Sequence, residues 1–475
     1  MMAKNLDHGK LLKVQELARS VPWWMIIPWL IGGVTGGDFF ITNTFIVSQA
    51  GPLTPWAYIS AGVFIILMSL IYWELISAWP YTGGEYVYMT RAFGAFIGYI
   101  VFFLYAFNFV FWVPLNLSVI GSYLSWLFSD WKINATVISL IFALVFHWIV
   151  YRGIFFSTQV QVILSIVTIL GTTLIFFVPF LISPTQFFKL ASQNLNPNMM
   201  FPGFGSKITG LLSFSGLTIT YMVGFEVVPQ LAEEIKAEKK RLGYIQTMGS
   251  LGMTSVQTLC ALGMVTLIPH TVWLTLAGTE LNIPAAAMQI APKLLPLNVV
   301  RIILFAEIFS AFATMTTAIT GFTRAIFALA RDIRLPKIFT YLHPKYKSPV
   351  AAILLSLAIS IFGSFQRWVV DYAFGLVMAT MFMYILIPIA HMILRKKEPN
   401  VERPAKTPFY PWVNIIVFIW AVYMFWYQIR TVPISVWYFL GTIIILALVL
   451  WFIYNPIRKK VYSEAGIKER YGIKA

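Results

Sequence analysis

Long, uninterrupted apolar runs make up most of the chain, and "PISVWYFLGTIIILALVLWFIY" (433–454) is one example. A helix needs about 20 apolar residues to cross the roughly 30 Å hydrocarbon layer of a bilayer, whereas a barrel strand needs about ten residues of alternating polarity. The runs here are continuous, and 59% of the 475 residues are hydrophobic while only 11% are charged. These features predict an all-α integral membrane protein.

Polar residues, prolines and glycines divide the apolar runs into twelve predicted transmembrane helices. The predicted spans are 22–48, 55–79, 94–128, 133–151, 158–182, 208–232, 244–269, 298–323, 349–366, 369–394, 411–430 and 433–454. The polar region before the first span lacks the features of a cleavable signal peptide, so we expect the first span to stay in the membrane. The single cysteine, Cys260, falls within an apolar run, and we expect it to pack as a small hydrophobic residue.

The charge distribution sets the predicted orientation. With both termini in the cytoplasm, 27 of the 34 Lys and Arg residues lie on the cytoplasmic side, as the positive-inside rule requires. The net charge of +16 is thereby explained by topology and by contact with anionic lipid headgroups. We therefore predict a multi-pass plasma-membrane protein with membrane lipid as a partner, no nucleic-acid partner and no obligate protein partner.

Two spans are interrupted at corresponding places. The first contains "IGGVTGGDFF" (31–40) and the sixth contains "TITYMVGFEVVPQLAEE" (218–234). Since five spans separate their starting points, a second five-helix unit would begin on the opposite face of the membrane, which favours an inverted repeat. The predicted organisation is a cytoplasmic segment 1–21, a first repeat 22–182, an external linker 183–207, a second repeat 208–394, a cytoplasmic loop 395–410, two extra helices 411–454 and a basic tail 455–475.

A helix broken inside the membrane leaves backbone carbonyl and N–H groups unpaired, and each costs several kcal/mol if it faces lipid. Such breaks must line a cavity or lie buried in protein. Two breaks at mid-depth would present dipole ends of both signs to a small charged ligand. The alternative is that Gly32, Gly33, Gly36 and Gly37 only allow close helix packing.

Three stretches of the chain resemble the amino acid/polyamine/organocation (APC) transporter superfamily. They are "YWELISAWPYTGGEYVYMTRAFG" (72–94), "GFEVVPQLAEEIKAEKK" (224–240) and "TRAIFALARDIRLPKIF" (323–339). The resemblance extends over nearly the whole chain, from about residue 22 to residue 454. It implies a five-plus-five inverted repeat with two further helices, alternating access, and a substrate held at the breaks of spans 1 and 6.

The residues assigned to substrate binding follow from these breaks and from the resemblance. They are Thr35, Gly36, Gly37, Asp38, Phe39, Trp112, Tyr221, Met222, Gly224, Phe225 and Glu226. Trp112 is included because Asn108, Trp112 and Asn116 share one face of span 3. In the family's Gly-x-Gly-Ile-Phe motif, the second glycine and the isoleucine correspond here to Asp38 and Phe39.

This departure leaves three roles open for Asp38. It caps the second half of the helix, as Asp often does at a helix N-terminus. It binds the amino group of a substrate or a coupling cation, since carboxylates within membranes are costly and functional. Alternatively, it shares a proton with Glu226, because two neighbouring carboxylates cannot both ionise easily.

A polar face on span 8 is the candidate ion-coupling site. Glu307, Ser310, Thr314, Thr317 and Gly321 recur at helical spacing. The residues assigned to ion coupling are Gly33, Thr314, Thr316, Thr317 and Glu307, where hydroxyls and span 1 carbonyls would suit sodium. A proton is the other coupling cation considered, although Thr168 stands where proton-coupled relatives often have a lysine in span 5.

Two further patterns have simple explanations. Trp23, Trp24 and Trp29 at the start of span 1 are predicted to form an interfacial belt. The mixed charges of 233–241 are read either as an intracellular gate or, by default, as an amphipathic end with local ion pairs.

We therefore predict a secondary active transporter for small amino compounds, most directly amino acids. The alternative is an amine or polyamine transporter in which Asp38 binds the amino group. No metal spacing, catalytic triad or phosphate loop appears in or beside the spans, so no enzyme and no cofactor is expected.

Overall fold

In the computed structural model the chain forms a bundle of helices. The structure describes residues 17–35, 46–47, 50–194, 215–216, 218–219, 222–267, 297–365 and 369–461. The helices among these residues are α1 (Ile26–Val34), α2 (Thr54–Ala78), α3 (Gly84–Phe93), α4 (Ala95–Leu127), α5 (Ala135–Tyr151), α6 (Ile154–Ile182), α7 (Pro184–Asn194), α8 (Val227–Leu231), α9 (Lys239–Leu267), α10 (Leu297–Arg331), α11 (Val350–Ser364), α12 (Val369–Lys397), α13 (Trp412–Thr431) and α14 (Ile434–Val461).

Eight of the described helices are long and apolar enough to cross a membrane: α2, α4, α6, α9, α10, α12, α13 and α14. Three shorter apolar segments accompany them, namely α1 with its preceding turn, α5 and α11. The 33 residues of α4 correspond to a length of about 50 Å, more than the hydrocarbon layer requires. The prediction of an all-helical membrane protein is confirmed.

Helix α1 lies at the centre of the bundle, in contact with α6, α9 and α10. Its glycines allow this close packing. A Cβ added at Gly32 would lie 2.4 Å from Ser165 Cα, and one added at Gly33 would lie 2.2 Å from Thr317 Oγ1. For these two glycines the packing explanation therefore holds, because a side chain would push α1 away from α6 and α10. Gly36 and Gly37 lie outside the described residues.

The last two helices lie at the edge of the bundle. Helix α10 has most of its apolar length buried inside the protein, whereas α13 and α14 expose most of theirs. Large side chains such as Phe452 and Tyr438 on α14 project outward. In a bilayer this surface contacts lipid, so α13 and α14 do not contribute to the centre where α1 lies.

A short parallel strand pair joins two distant parts of the chain. Strand β1 (Val21–Pro22) pairs with β2 (Ile235–Lys236), with Val21 opposite Ile235. The side chain of Arg19 strengthens this contact by donating to the carbonyl oxygens of Ile235 at 3.2 Å and Ala237 at 2.5 Å. The segment before α1 is thereby fixed to the segment between α8 and α9.

Candidate functional site

Helix α1 ends within the bundle. Its last helical residue is Val34, and Thr35 leaves the helical conformation with φ −76° and ψ 36°. The Thr35 hydroxyl donates to the carbonyl oxygen of Ile31 at 2.6 Å. The Ser310 hydroxyl of α10 donates to the carbonyl oxygen of Thr35 at 2.7 Å, so a side chain satisfies one carbonyl group that the helix leaves free. The predicted site residues Gly36, Gly37, Asp38 and Phe39 lie outside the described residues.

The sixth span is interrupted before α8. Residues 222–226 form turns, and Gly224 has φ +112°, a conformation that disfavours any side chain. The backbone N–H of Val227 donates to the carbonyl oxygen of Gly224 at 3.1 Å, and the helix continues from there. Met222 and Phe225 are both buried in this turn. Tyr221, the remaining predicted site residue of this segment, lies outside the described residues.

The two interruptions meet in space. A Cβ placed at Gly224 would lie 3.5 Å from Cγ2 of Val34, the last residue of α1. The turn in the sixth span therefore packs directly against the point at which the first helix ends. The end of α1 and the turn before α8, from two distant parts of the chain, are thus brought together inside the bundle.

Glu226 belongs to this turn and is buried. Its carboxylate accepts the backbone N–H of Gly224 at 3.0 Å and the Tyr384 hydroxyl of α12 at 2.9 Å. The aromatic ring of Phe225 lies 5.9 Å from those of both Tyr72 and Tyr384, measured between ring centroids. Because the Gly224 N–H already donates to the Glu226 carboxylate, it is not available to a substrate carboxylate in this conformation.

The predicted polar face of span 8 lies on α10. Glu307, Ser310, Thr316 and Thr317 are all buried there, while Thr314 is only partly buried. The Thr316 hydroxyl donates to the Phe312 carbonyl of its own helix at 3.0 Å. Trp112, assigned to a pocket wall, is buried on α4, which packs along α10.

The interfacial role predicted for Trp29 is wrong. Trp29 is fully buried, and its indole N–H donates to the Thr317 hydroxyl at 2.8 Å. Trp24 does fit the predicted belt, since it is 54% exposed. Burial of an indole is favourable only when its N–H finds a partner, and Thr317 supplies that partner from another helix. Sequence spacing cannot show this contact.

The hydrogen bonds of Thr317 bear on the predicted sodium site. Besides the Trp29 indole, the Gln161 amide nitrogen of α6 donates to the Thr317 hydroxyl at 3.3 Å. The hydroxyl itself donates to the carbonyl oxygen of Ala313 at 3.1 Å. A hydroxyl oxygen has two acceptor positions, and both are taken by N–H groups here. The assignment of Thr317 to ion coupling stays a prediction.

Long-range ion pairs join the segment after α8 to α10. Arg324 of α10 binds Glu234 at 3.1 Å, and Arg331 binds Glu233 at 2.9 Å. The default expectation for 233–241 was local ion pairs. Glu233 and Glu234 instead pair with arginines of α10, about 90 residues away. The signal for this contact in the sequence is a pair of adjacent acids together with two arginines that share one face of α10.

Sequence reasoning missed four polar residues near the site: Glu85, Gln161, Gln230 and Tyr384. The Gln230 amide donates to the Glu85 carboxylate, and both residues are fully buried. Glu85 stands inside the Gly-Gly-Glu-Tyr motif, so the motif offered a signal. The others lie in helices whose sequence alone does not indicate their neighbours. Cys260 is buried, as predicted for a small hydrophobic residue.

A bundle of apolar helices in which a helix end and a turn meet beside buried polar side chains is typical of membrane transport proteins. Residues 22–455 match the model of the amino acid permease family, and the chain belongs to that family. The members of the family named below are transporters, so this protein is a permease rather than an enzyme.

This chain matches most of the length of several relatives. The methylthioribose transporter of Bacillus subtilis is 25% identical over 464 residues, which are 91% of this chain and 94% of the relative. The branched-chain amino acid permease BcaP of the same organism is 24% identical over 468 residues, or 91% and 92% of the two chains. The glutamate/serine transporter AimA of Bacillus subtilis is 26% identical over 417 residues, which are 83% of this chain and 74% of the relative.

Proposed function

We propose that this protein is a secondary active transporter that moves amino acids across the plasma membrane by alternating access. The observation that carries the proposal is the contact of Gly224 with Val34, where two interrupted helices meet. Backbone groups at a helix end inside a membrane must bind a buried ligand or find partners in the protein, and these two ends lie beside the polar face of α10. The family and the relatives named above support a small amino acid as the ligand.

The proposed architecture has twelve transmembrane helices. Residues 22–182 form the first five-helix repeat and residues 208–394 the inverted second one, joined by the external linker 183–207. In this arrangement α1 is the first half of broken helix 1, and the Gly224 turn is the break of helix 6. The carbonyl groups at the end of α1 would receive the substrate's ammonium group, and the assignment of Asp38 to the site stays a prediction.

Alternating access requires one side of the bundle to open. We place the cytoplasm at the side closed by Arg324, Glu234, Arg331 and Glu233, with both chain termini there as the charge distribution predicts. These ion pairs and the β1–β2 contact join α10 to the segments around α8 and before α1. Release of substrate to the cytoplasm would require them to separate.

Counterflow into proteoliposomes tests this proposal. Vesicles preloaded with an unlabelled amino acid should take up the labelled one against its gradient, because only a carrier exchanges substrate in this way. The panel should include branched-chain amino acids, glutamate, serine, methylthioribose and a polyamine. The proposal would be overturned if no amino acid in the panel showed trans-stimulated uptake.

The amine alternative has less support. The relatives named above are described as carriers of methylthioribose, branched-chain amino acids, and glutamate and serine. We therefore propose an amino acid as the substrate, with the polyamine in the panel as the comparison.

A further inference from the structure

The outward face of α5 carries an apolar stripe that ends in a cation. Exposed apolar side chains recur along this helix at helical spacing, namely Val137, Ile141, Leu144, Val145 and Trp148. Arg152 is also exposed and follows four residues after Trp148, so it continues the same face. The 17 residues of α5 span about 25 Å, which places Arg152 close to the end of the hydrocarbon layer. A charge in this position lies at the level of the lipid headgroups.

Aromatic rings restrict the Arg152 side chain. Its guanidinium carbon lies 5.1 Å from the ring centroid of Trp148, 5.5 Å from that of Phe156 and 5.4 Å from that of Tyr346. Such contacts hold a guanidinium group without using its N–H groups. In the part of the chain that the structure describes, no acceptor takes these N–H groups, so they are free to bind an anion.

A second cation reaches the same place from a distant part of the chain. The Lys345 ammonium nitrogen lies 5.5 Å from the ring centroid of Tyr346, which is the ring that also contacts the guanidinium group. The loop that carries Lys345 is closed by the His343 N–H, which donates to the Ser348 carbonyl oxygen at 2.9 Å. The Ser348 hydroxyl then donates to the Tyr151 carbonyl oxygen at 2.8 Å. The loop is thereby fixed to the end of α5.

No acid balances these two cations. The sequence contains no Asp or Glu between Asp130 and Glu226, and none between Asp332 and Asp371. Neither cation takes part in an ion pair with any residue that the structure describes, in contrast to Arg324 of α10, which binds an acid at 3.1 Å. Two uncompensated positive charges on a fixed support attract an anion.

We propose that Arg152 and Lys345 bind the phosphate group of an anionic phospholipid whose acyl chains lie along the apolar stripe of α5. The stripe favours a lipid over a free phosphate compound, because the cations stand at the end of a surface that already contacts acyl chains. Two cations without an acid favour a headgroup with a net negative charge over a zwitterionic one. This site is formed by α5, the start of α6 and the loop 343–348, which contribute no residue to the proposed substrate site.

Lipid binding to the purified protein tests this proposal. Native mass spectrometry of the protein in detergent, titrated with dioleoylphosphatidylglycerol, gives the Kd of the first bound lipid. The wild type should bind this lipid more tightly than dioleoylphosphatidylcholine. The double variant Arg152→Gln with Lys345→Gln should raise the Kd for phosphatidylglycerol about 30-fold, since each cation near an anionic lipid contributes about fivefold. An unchanged Kd in the double variant, or equal binding of the two lipids by the wild type, overturns the proposal.

The matched control is the double variant Lys236→Gln with Lys240→Gln. It removes the same charge from two exposed side chains, but these stand in a segment that also holds acids such as Glu238. Its Kd for phosphatidylglycerol should stay within about twofold of the wild-type value, because nearby acids already offset those cations. An equal rise in both double variants would reveal a general effect of net charge and would overturn the site.

Glycerol phosphate, which has the anionic group without acyl chains, separates a lipid from a free phosphate compound. Added at the same concentration as the lipid, it should not displace phosphatidylglycerol, and effective displacement would overturn the assignment to a lipid. If the double variant fails to fold, Lys345→Gln alone decides, because Lys345 is exposed on its loop. This variant should raise the Kd about fivefold, and an unchanged Kd would overturn the proposal.

Discussion

The Ser310 hydroxyl donates a 2.7 Å hydrogen bond to the backbone carbonyl of Thr35, one residue past the end of α1. This bond joins α10 to a helix end that would otherwise leave the carbonyl without a partner. Ser310→Ala should therefore lower stability by about 1 to 3 kcal/mol, the cost of a buried group left unsatisfied. Thermal unfolding in detergent measures it. Ser310→Thr keeps the hydroxyl and should lose less, and equal losses would contradict the role of the hydrogen bond.

The turn at Gly224 provides a second prediction. Gly224→Ala forces a Cβ onto a residue with φ +112°, which should cost about 1 to 3 kcal/mol and reduce counterflow strongly. The control is Gly441→Ala, because a Cβ at Gly441 on α14 meets nothing within 4 Å. That change should leave counterflow and stability near the wild-type values. Full counterflow in Gly224→Ala would show that the turn is not needed for transport.

Counterflow is expected not to require sodium, because N–H donors occupy both acceptor positions of Thr317. Replacing sodium with choline should leave the rate unchanged, and a strict sodium requirement would contradict the prediction.

Trp29→Phe removes one donor from Thr317 and should lower stability by about 1 to 2 kcal/mol. Trp24→Phe changes a tryptophan that is 54% exposed and should have little effect.

The pair of Glu234 and Arg324 is buried on both sides, with 1% and 0% of the side chains exposed. Glu234→Gln leaves the arginine charge uncompensated and should lower stability by about 3 to 5 kcal/mol. The measurement is thermal unfolding, with Glu402→Gln as the control. The exposed pair of Glu402 with Lys239 should contribute little. Equal effects of the two substitutions would show that burial does not govern the strength of this contact.

Membrane orientation is open to direct measurement. Because Cys260 is buried and is the only cysteine, a cysteine introduced at an exposed site can be labelled selectively. Glu402→Cys should react only with a reagent that reaches the cytoplasm. Asp130→Cys, in the exposed segment after α4, should react with an impermeant reagent added outside. The reverse pattern would show that the proposed orientation is inverted.

Much of the fold was accessible from the sequence. Run length and hydropathy predicted a helical membrane protein, and the runs 94–128 and 133–151 correspond closely to α4 and α5. The motifs at 72–94 and 224–240 indicated the family that the comparison shows. The sequence predicts an interruption in the sixth span because Gly224 and Glu226 break its apolar run. The function of Asp38 stays a prediction, since it lies outside the described residues.

The sequence by itself determined the membrane class, the family and the positions of long helices such as α4 and α5, because these depend on hydropathy and spacing along the chain. Only the tertiary structure decided which polar groups meet. It paired Glu234 with Arg324, placed Trp29 on Thr317 and joined Gln230 to Glu85. The physical reason is that a buried polar group is stabilised by partners on neighbouring helices, and helix packing, not distance along the chain, selects those partners.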